Sequence, residues 1–347
     1  MFATRCWLTP FALLLAFLFC GAAAAQNAAP GGKTFVMKLA TPTLNDGQHE
    51  WMRRYAAAIE ARSGGRIKAE LYPASQLGSI PRMIEGTQLG SIQIFLAPPE
   101  FFVGVDQRFE LMTAAGLMGS DEQAIKTLTD PEFSKAFLAI GVNKGLIGVG
   151  LFFGSPSAFV MRAPLRTLGD LKGRKIRVLA SPFQIDQIAK LGGTGVPLSL
   201  GDVLPALQQG TIDGALGNLG VFTALGFFDT AKHMNETGHA FNIIMAAMSK
   251  RWFETLPPDL QAMVLATAEE VGAEVNPWVL DFLVRQRKIW VEKGGELESL
   301  SSADKAEMMA KVGPVAEDIV KTKPELKPMW ELLRAAAKRS MQADGAR

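Results

Sequence analysis

Between residues 34 and 99 the sequence alternates twice between two periodicities. TFVMKLATP is a strand segment that Pro42 ends, and HEWMRRYAAAIEARSGG follows with Trp51, Tyr55, Ala58 and Ile59 at helical spacing before Gly64 and Gly65. RIKAELYP alternates as a second strand, SIPRMIEGTQLG is a second helix, and SIQIFLAPP is a third strand. Parallel strands need a crossover between them, so β-α-β-α-β predicts an α/β layer with a mostly parallel sheet.

A second block of the same style follows. KGLIGVGLFFG, from Lys144 to Gly154, is a continuous apolar run suited to a buried strand. KIRVLAS reads as a strand and SPFQIDQIAKLGG as a helix. Ser181 caps that helix, Pro182 suits its first turn, Gln184 completes a capping box and Gly192 stops it. VPLSL is a short strand, GDVLPALQQG a helix closed by Gly210, and TIDGALGNL a short strand and turn. Beyond Pro257 helical spacing runs unusually far, and Pro277 predicts a kink or a restart. About the last 25 residues form a final helix. No low-complexity linker separates the two blocks, which predicts a chain that crosses between two domains more than once.

The 347 residues suffice for two domains with real cores. A net charge of +2 without blocks of like charge gives no reason to expect nucleic acid as a partner. Arg5 precedes an apolar run from Phe11 to Phe19, then small residues Ala22 to Ala25. This is the pattern of a secretory signal peptide, residues 1–25, cut after Ala25; the run is short of the ~20 residues that span a bilayer. Both cysteines, Cys6 and Cys20, lie in this leader, so the exported chain has no disulfide, thiol nucleophile or thiolate metal site. Phe19 stands where a lipoprotein signal carries a small residue, which argues against lipidation of Cys20.

Catalytic constellations are missing. His49-Glu50 begins like H-E-x-x-H, but position 53 is Arg, so the pair reads as the start of a helix. His233 and His239 lie in a polar segment expected to be a surface loop and not a metal pair. GVGLFFG has the wrong spacing for a dinucleotide fingerprint and runs into Ser-Pro. There is no G-x-S-x-G elbow and no P-loop. Neither an enzyme, a cofactor nor a metal ligand set is expected.

One charge stands out. In KGRKIRV, Ile176 and Val178 share one strand face and Arg177 takes the other. Alternation alone leaves open whether that face meets solvent or lines a site.

Three blocks bear on the question: YPASQLG at 72–78, LKGRKIRVLASP at 171–182 and LGDVLPALQQGTIDG at 200–214. In their order and spacing the chain resembles the DctP-type solute-binding proteins of tripartite ATP-independent periplasmic (TRAP) transporters, from about Val36 to the C-terminal helices. The resemblance implies a two-lobed α/β periplasmic binding protein of type II-like form, with crossing strands and a long helix at 258–293 spanning both lobes. Residues 26–154 plus 245–285 would form lobe 1, and 155–244 plus 286–347 lobe 2. It also implies a periplasmic location, capture of an organic acid, delivery to a small and a large integral membrane subunit, and no chemistry in this chain. The same scaffold could instead serve a sensor kinase or chemoreceptor, or carry a secreted enzyme.

In that family the K-I-R-V arginine, here Arg177, holds the ligand. A guanidinium matches a carboxylate with two parallel bonds. A second arginine that many members carry is absent, with Pro156 of FFGSPSAF in its place. Asn218 is displaced by one position from the family's polar residue, Leu200 replaces an aromatic, and the first and third strands offer Thr41 and Pro98. Phe153, Phe159, Phe183 and Phe222 are the apolar candidates, with Phe183 foremost; Gln184 is claimed by both the pocket and its capping box. One cation among apolar walls predicts a monocarboxylate with an apolar or aromatic body.

Overall fold

The computed structural model describes residues 33–345, so the expected signal peptide, residues 1–25, and both cysteines lie outside the described residues. The first block folds as its alternation predicts. β1 (Phe35–Ala40), α1 (Gly47–Arg62), β2 (Ile67–Tyr72), α2 (Ile80–Leu89) and β3 (Ile94–Ala97) place β1 between β2 and β3, all parallel. Asp46 starts α1 by accepting from the N–H groups of Gln48 and His49, and Trp51, Met52, Tyr55 and Ile59 form its buried face. Two short helices, α3 (Asp121–Leu128) and α4 (Pro131–Leu138), then lead into β4 (Leu146–Met161).

The second block contributes β5 (Lys175–Val178), α5 (Pro182–Lys190), β6 (Thr194–Pro197), α6 (Leu200–Gln209), β7 (Gly214–Gly217) and α7 (Leu219–Ala224). β8 (His233–Ser249) returns to the first block, and α8 (Lys250–Phe253) and α9 (Pro258–Glu292) follow. The chain ends with β9 (Glu296–Glu298), α10 (Ser302–Val312), α11 (Val315–Thr322) and α12 (Lys327–Gly345). Among the described residues the strands form one sheet in the order β2-β1-β3-β8-β4-β7-β5-β6, with β9 beside β8.

The two central strands make the two lobes. Residues 146–153 of β4 face 243–249 of β8 next to β3, whereas 158–161 face 233–236 next to β7. Between these halves the register slips, and Ser157 stands opposite the stretch Thr237–Ala240. Gly154 and Pro156 sit in this break, which is why apolar patterning ends β4 too early: Gly, Ser and Pro read as a turn, but bulges keep them within the strand. A Cβ on Gly154 would lie 2.7 Å from the backbone oxygen of Asn242. Gly154→Ala is therefore expected to destabilise the fold by about 1–3 kcal/mol, read as a lower midpoint in thermal unfolding.

Two sequence expectations need correction. His233 and His239 are buried within β8, not in a surface loop, because β8 extends over 17 residues and includes its polar start. α9 runs through Pro277 without restarting; it packs on α1, β4 and α7, and Asn276 Oδ1 accepts from the Phe153 N–H at 2.9 Å. Of the last segments, α10 and α11 pack on α5, whereas α12 packs on α3 and α4. Gln123 Nε2 donates to the Ala337 carbonyl at 3.2 Å, and Arg339 Nε donates to Asp130 at 2.7 Å.

Candidate functional site

β5 lies parallel between β6 and β7, with Arg177 opposite Val196 on one side and Ala215 on the other. Asp213 helps to fix its start, accepting from the Lys175 N–H at 2.8 Å. Ile176 and Val178 enter a core built with Phe159, Leu171, Ile188 and Leu216. Arg177 takes the opposite face, yet it is only 3% exposed. The alternation left solvent and site open; this face is not bathed in solvent.

The guanidinium is partly committed. Nε donates to the Leu198 carbonyl at 2.9 Å and Nη1 to the Leu216 carbonyl at 3.1 Å. Five N–H groups are available on an arginine, so one on Nη1 and two on Nη2 remain. The two carbonyls fix the plane of the fork without neutralising it. Burial lowers the pKa to about 10, offset in part by the charge of Glu100, and the group stays protonated at neutral pH.

Arg177 lines a cavity of about 40 Å³ between the lobes. The first lobe contributes Pro42, Thr43, Gln48, Ile80, Pro98 and Phe101; the second contributes Leu179, Leu200, Gly217, Asn218, Val221 and Phe222; Asn242 comes from the β8 crossing. Several polar atoms are already used. Asn218 Oδ1 caps α7, accepting from Gly220 N at 2.7 Å and Val221 N at 3.3 Å, which leaves its Nδ2 as a donor. Gln48 Oε1 accepts from the Thr41 hydroxyl at 3.0 Å. What remains is rich in donors and otherwise apolar, an arrangement that can hold an anion.

Of the residues singled out in the sequence, Arg177, Asn218, Pro98, Leu200 and Phe222 meet at this cavity. Thr41 is buried one layer behind, bonded to Gln48 and Thr43. Phe183 and Phe153 are fully buried in the main core and do not line the cavity, and Phe153 packs against Phe241. Phe159 stacks on His239, and Pro156 stays in the crossover. Gln184 serves the backbone: its Oε1 accepts from Leu179 N at 2.9 Å, not from Ser181 as a capping box requires, while Ser181 Oγ accepts from Gln184 N at 3.4 Å.

The sequence reading missed Thr43, Gln48, Ile80 and Phe101, which approach from loops and helix starts far apart in the chain, and Asn242, which comes from the middle of β8. It also missed Glu100, which follows Pro98-Pro99. This carboxyl is 2% exposed and close enough to Arg177 for their charges to interact. Burial pushes its pKa up to about 7, against a backbone hydrogen bond and the Arg177 charge, which pull it down. A lone Glu between Pro-Pro and Phe-Phe was the available signal.

Comparison with known proteins places this geometry. Residues 40–323 match DctP, bacterial extracellular solute-binding protein family 7. The 2,3-diketo-L-gulonate-binding periplasmic protein YiaO of Escherichia coli strain K12 is 29% identical over 228 residues, covering 65% of this chain and 69% of that one. A TRAP periplasmic solute binding protein from Desulfovibrio salexigens, solved with bound orotic acid, has a TM-score of 0.84 at 22% identity, covering 88% of this chain and 100% of that one. Another from Xanthobacter autotrophicus PY2, with bound β-D-galacturonate, has a TM-score of 0.79 at 24% identity, covering 86% and 99%. These two share the two-lobed fold. The family match runs from the end of β1 to just past α11, across both lobes and the cavity between them, and the chain belongs to the DctP family of bacterial extracellular solute-binding proteins.

Proposed function

We propose that this protein captures an organic acid in the interlobe cavity, with Arg177 as carboxylate clamp, and delivers it in the periplasm to the small and large membrane subunits of a TRAP transporter. One observation carries the reading: a buried guanidinium, fixed by two carbonyls, with three N–H groups left over. Such a charge is costly without a partner, and a carboxylate matches its fork. Asn218 Nδ2 supplies a further donor. The acids named for YiaO and for the two solved neighbours support this class of ligand.

The body of the ligand is apolar in this reading, and the acid is a monocarboxylate. A sugar acid needs a partner for each hydroxyl, but the oxygens of Asn218 and Gln48 already accept bonds within the protein. Ile80, Phe101, Leu200, Val221 and Phe222 supply the wall. At 40 Å³ the cavity has room for about three water molecules, so entry of a larger acid requires the lobes to part about the β4–β8 break. The protein binds and releases; it performs no reaction.

A thermal-shift screen against carboxylic acids tests this. A ligand at 100 times its Kd adds about 2.7 kcal/mol to the folded state. Branched or aromatic monocarboxylates are expected to give the largest shifts. Shifts from sugar acids or dicarboxylates alone would overturn the apolar body while keeping acid capture. No shift with any carboxylate, alongside a shift with neutral solutes, would overturn acid capture itself.

A further inference from the structure

Far from the cavity, in the second lobe, three side chains converge in a way that solute capture does not use. β9 pairs in parallel with the start of β8, with His233 opposite Glu296 and Asn235 opposite Glu298. Side chains two residues apart on a strand share a face, so the E-L-E sequence of β9 turns both glutamates to the side of His233. His233 Nδ1 lies 3.1 Å from Glu298 Oε1 and 3.4 Å from Glu296 Oε2, and the three donor atoms lie within 4.8 Å of one another.

Each carboxylate is anchored by its other oxygen. Glu298 Oε2 accepts from the Leu165 N–H at 2.6 Å, and Glu296 Oε1 accepts from Lys232 Nζ at 2.6 Å. The inner oxygens are thereby turned toward the imidazole. Arg166 Nε lies 3.9 Å from Glu298 Oε1, a weaker competitor at the rim. Side-chain exposure grades across the site, from 7% for His233 and 9% for Glu298 to 43% for Glu296, which gives one open side.

We propose that His233 Nδ1, Glu298 and Glu296 bind a divalent transition-metal ion of the zinc class. A zinc ion with bonds of about 2.0–2.1 Å holds neighbouring tetrahedral donors about 3.3 Å apart, close to the two distances from Nδ1. One imidazole with two carboxylates suits zinc, whereas calcium or magnesium takes oxygen ligands alone. The outer bonds from Leu165 and Lys232 orient the ligands as such sites require. The fourth position faces solvent beside Glu296. The ion would tie β9, which directly follows α9, to β8 and to the segment after β4.

Purified protein stripped with EDTA and titrated with zinc chloride by calorimetry tests the proposal. One ion per chain is expected, with a higher thermal midpoint, and cobalt(II) in its place should give the visible absorption of a four-coordinate site. His233→Gln and Glu298→Gln should lose both responses while keeping the thermal shift with carboxylates. Glu296→Gln, at the open edge, should weaken zinc binding about 10-fold or more and decides the matter if the buried variants do not fold. Absence of binding at micromolar zinc, or binding unchanged in Glu296→Gln and the folded variants, would leave only a hydrogen-bonded cluster of the ring with two carboxylates and would overturn the metal site.

Discussion

Arg177→Lys is expected to weaken carboxylate binding about 10- to 100-fold. A hydrogen bond to a charged group contributes about 1.5–3 kcal/mol, and an ammonium cannot reproduce the two parallel bonds of a guanidinium. The same change also strips donors from the Leu198 and Leu216 carbonyls, which Arg177 now holds. The unliganded protein should therefore melt lower, by about 1–3 kcal/mol of stability, while remaining folded. Calorimetric titration separates the two effects, because affinity is read well below the melting range. Undiminished affinity in a folded Arg177→Lys protein would remove the clamp.

The second large effect is on pH dependence and comes from Glu100. Its pKa in the folded protein is raised from an ordinary 4.5 to about 7 by burial. The folded state therefore keeps a proton that the unfolded state has already lost. Stability from this group is fully present below about pH 4.5 and is lost as pH rises through 7, by an upper bound of about 3 kcal/mol. Glu100→Gln fixes the neutral form, so the variant should gain on the wild type in thermal midpoint as pH goes from 5 to 8. Ligand affinity should follow the same direction. Ionised Glu100 opposes a second carboxylate near Arg177, so the wild type should bind an acid more tightly at pH 6 than at pH 8, and Glu100→Gln should bind equally at both. A constant difference in midpoint between the two proteins across this range would contradict the assignment.

These residues mark what the sequence makes legible. α1 and α5 could be read because their signals are local: the spacing of Trp51, Tyr55 and Ile59 marks α1, and Ser181 accepts from the Gln184 N–H at the start of α5. The strand periodicity put Arg177 on the face opposite Ile176 and Val178, but periodicity assigns a face and not its neighbour. Only the crossing of β4 and β8, which brings Pro98 and Phe101 to Leu200 and Asn218, makes that face a wall. Phe153 and Phe183 lie in the core and not in the cavity lining for the same reason in reverse, since large apolar side chains near a cleft are more readily absorbed by the core behind it. The second half of β4 was hidden by Gly154, Ser155 and Pro156, whose turn chemistry is spent on bulges. His233 looked like a loop residue because its partner, β9, lies 63 residues downstream at Glu296 in a three-residue strand without an apolar pattern.

The most direct test is a crystal structure of the protein with the acid that gives the largest thermal shift. A carboxylate is expected in the fork of Arg177, on the N–H groups that Leu198 and Leu216 leave available, with Asn218 Nδ2 nearby and the body of the acid against Ile80, Phe101 and Phe222. A carboxylate bound elsewhere, with Arg177 still held only by its two carbonyls, would contradict it.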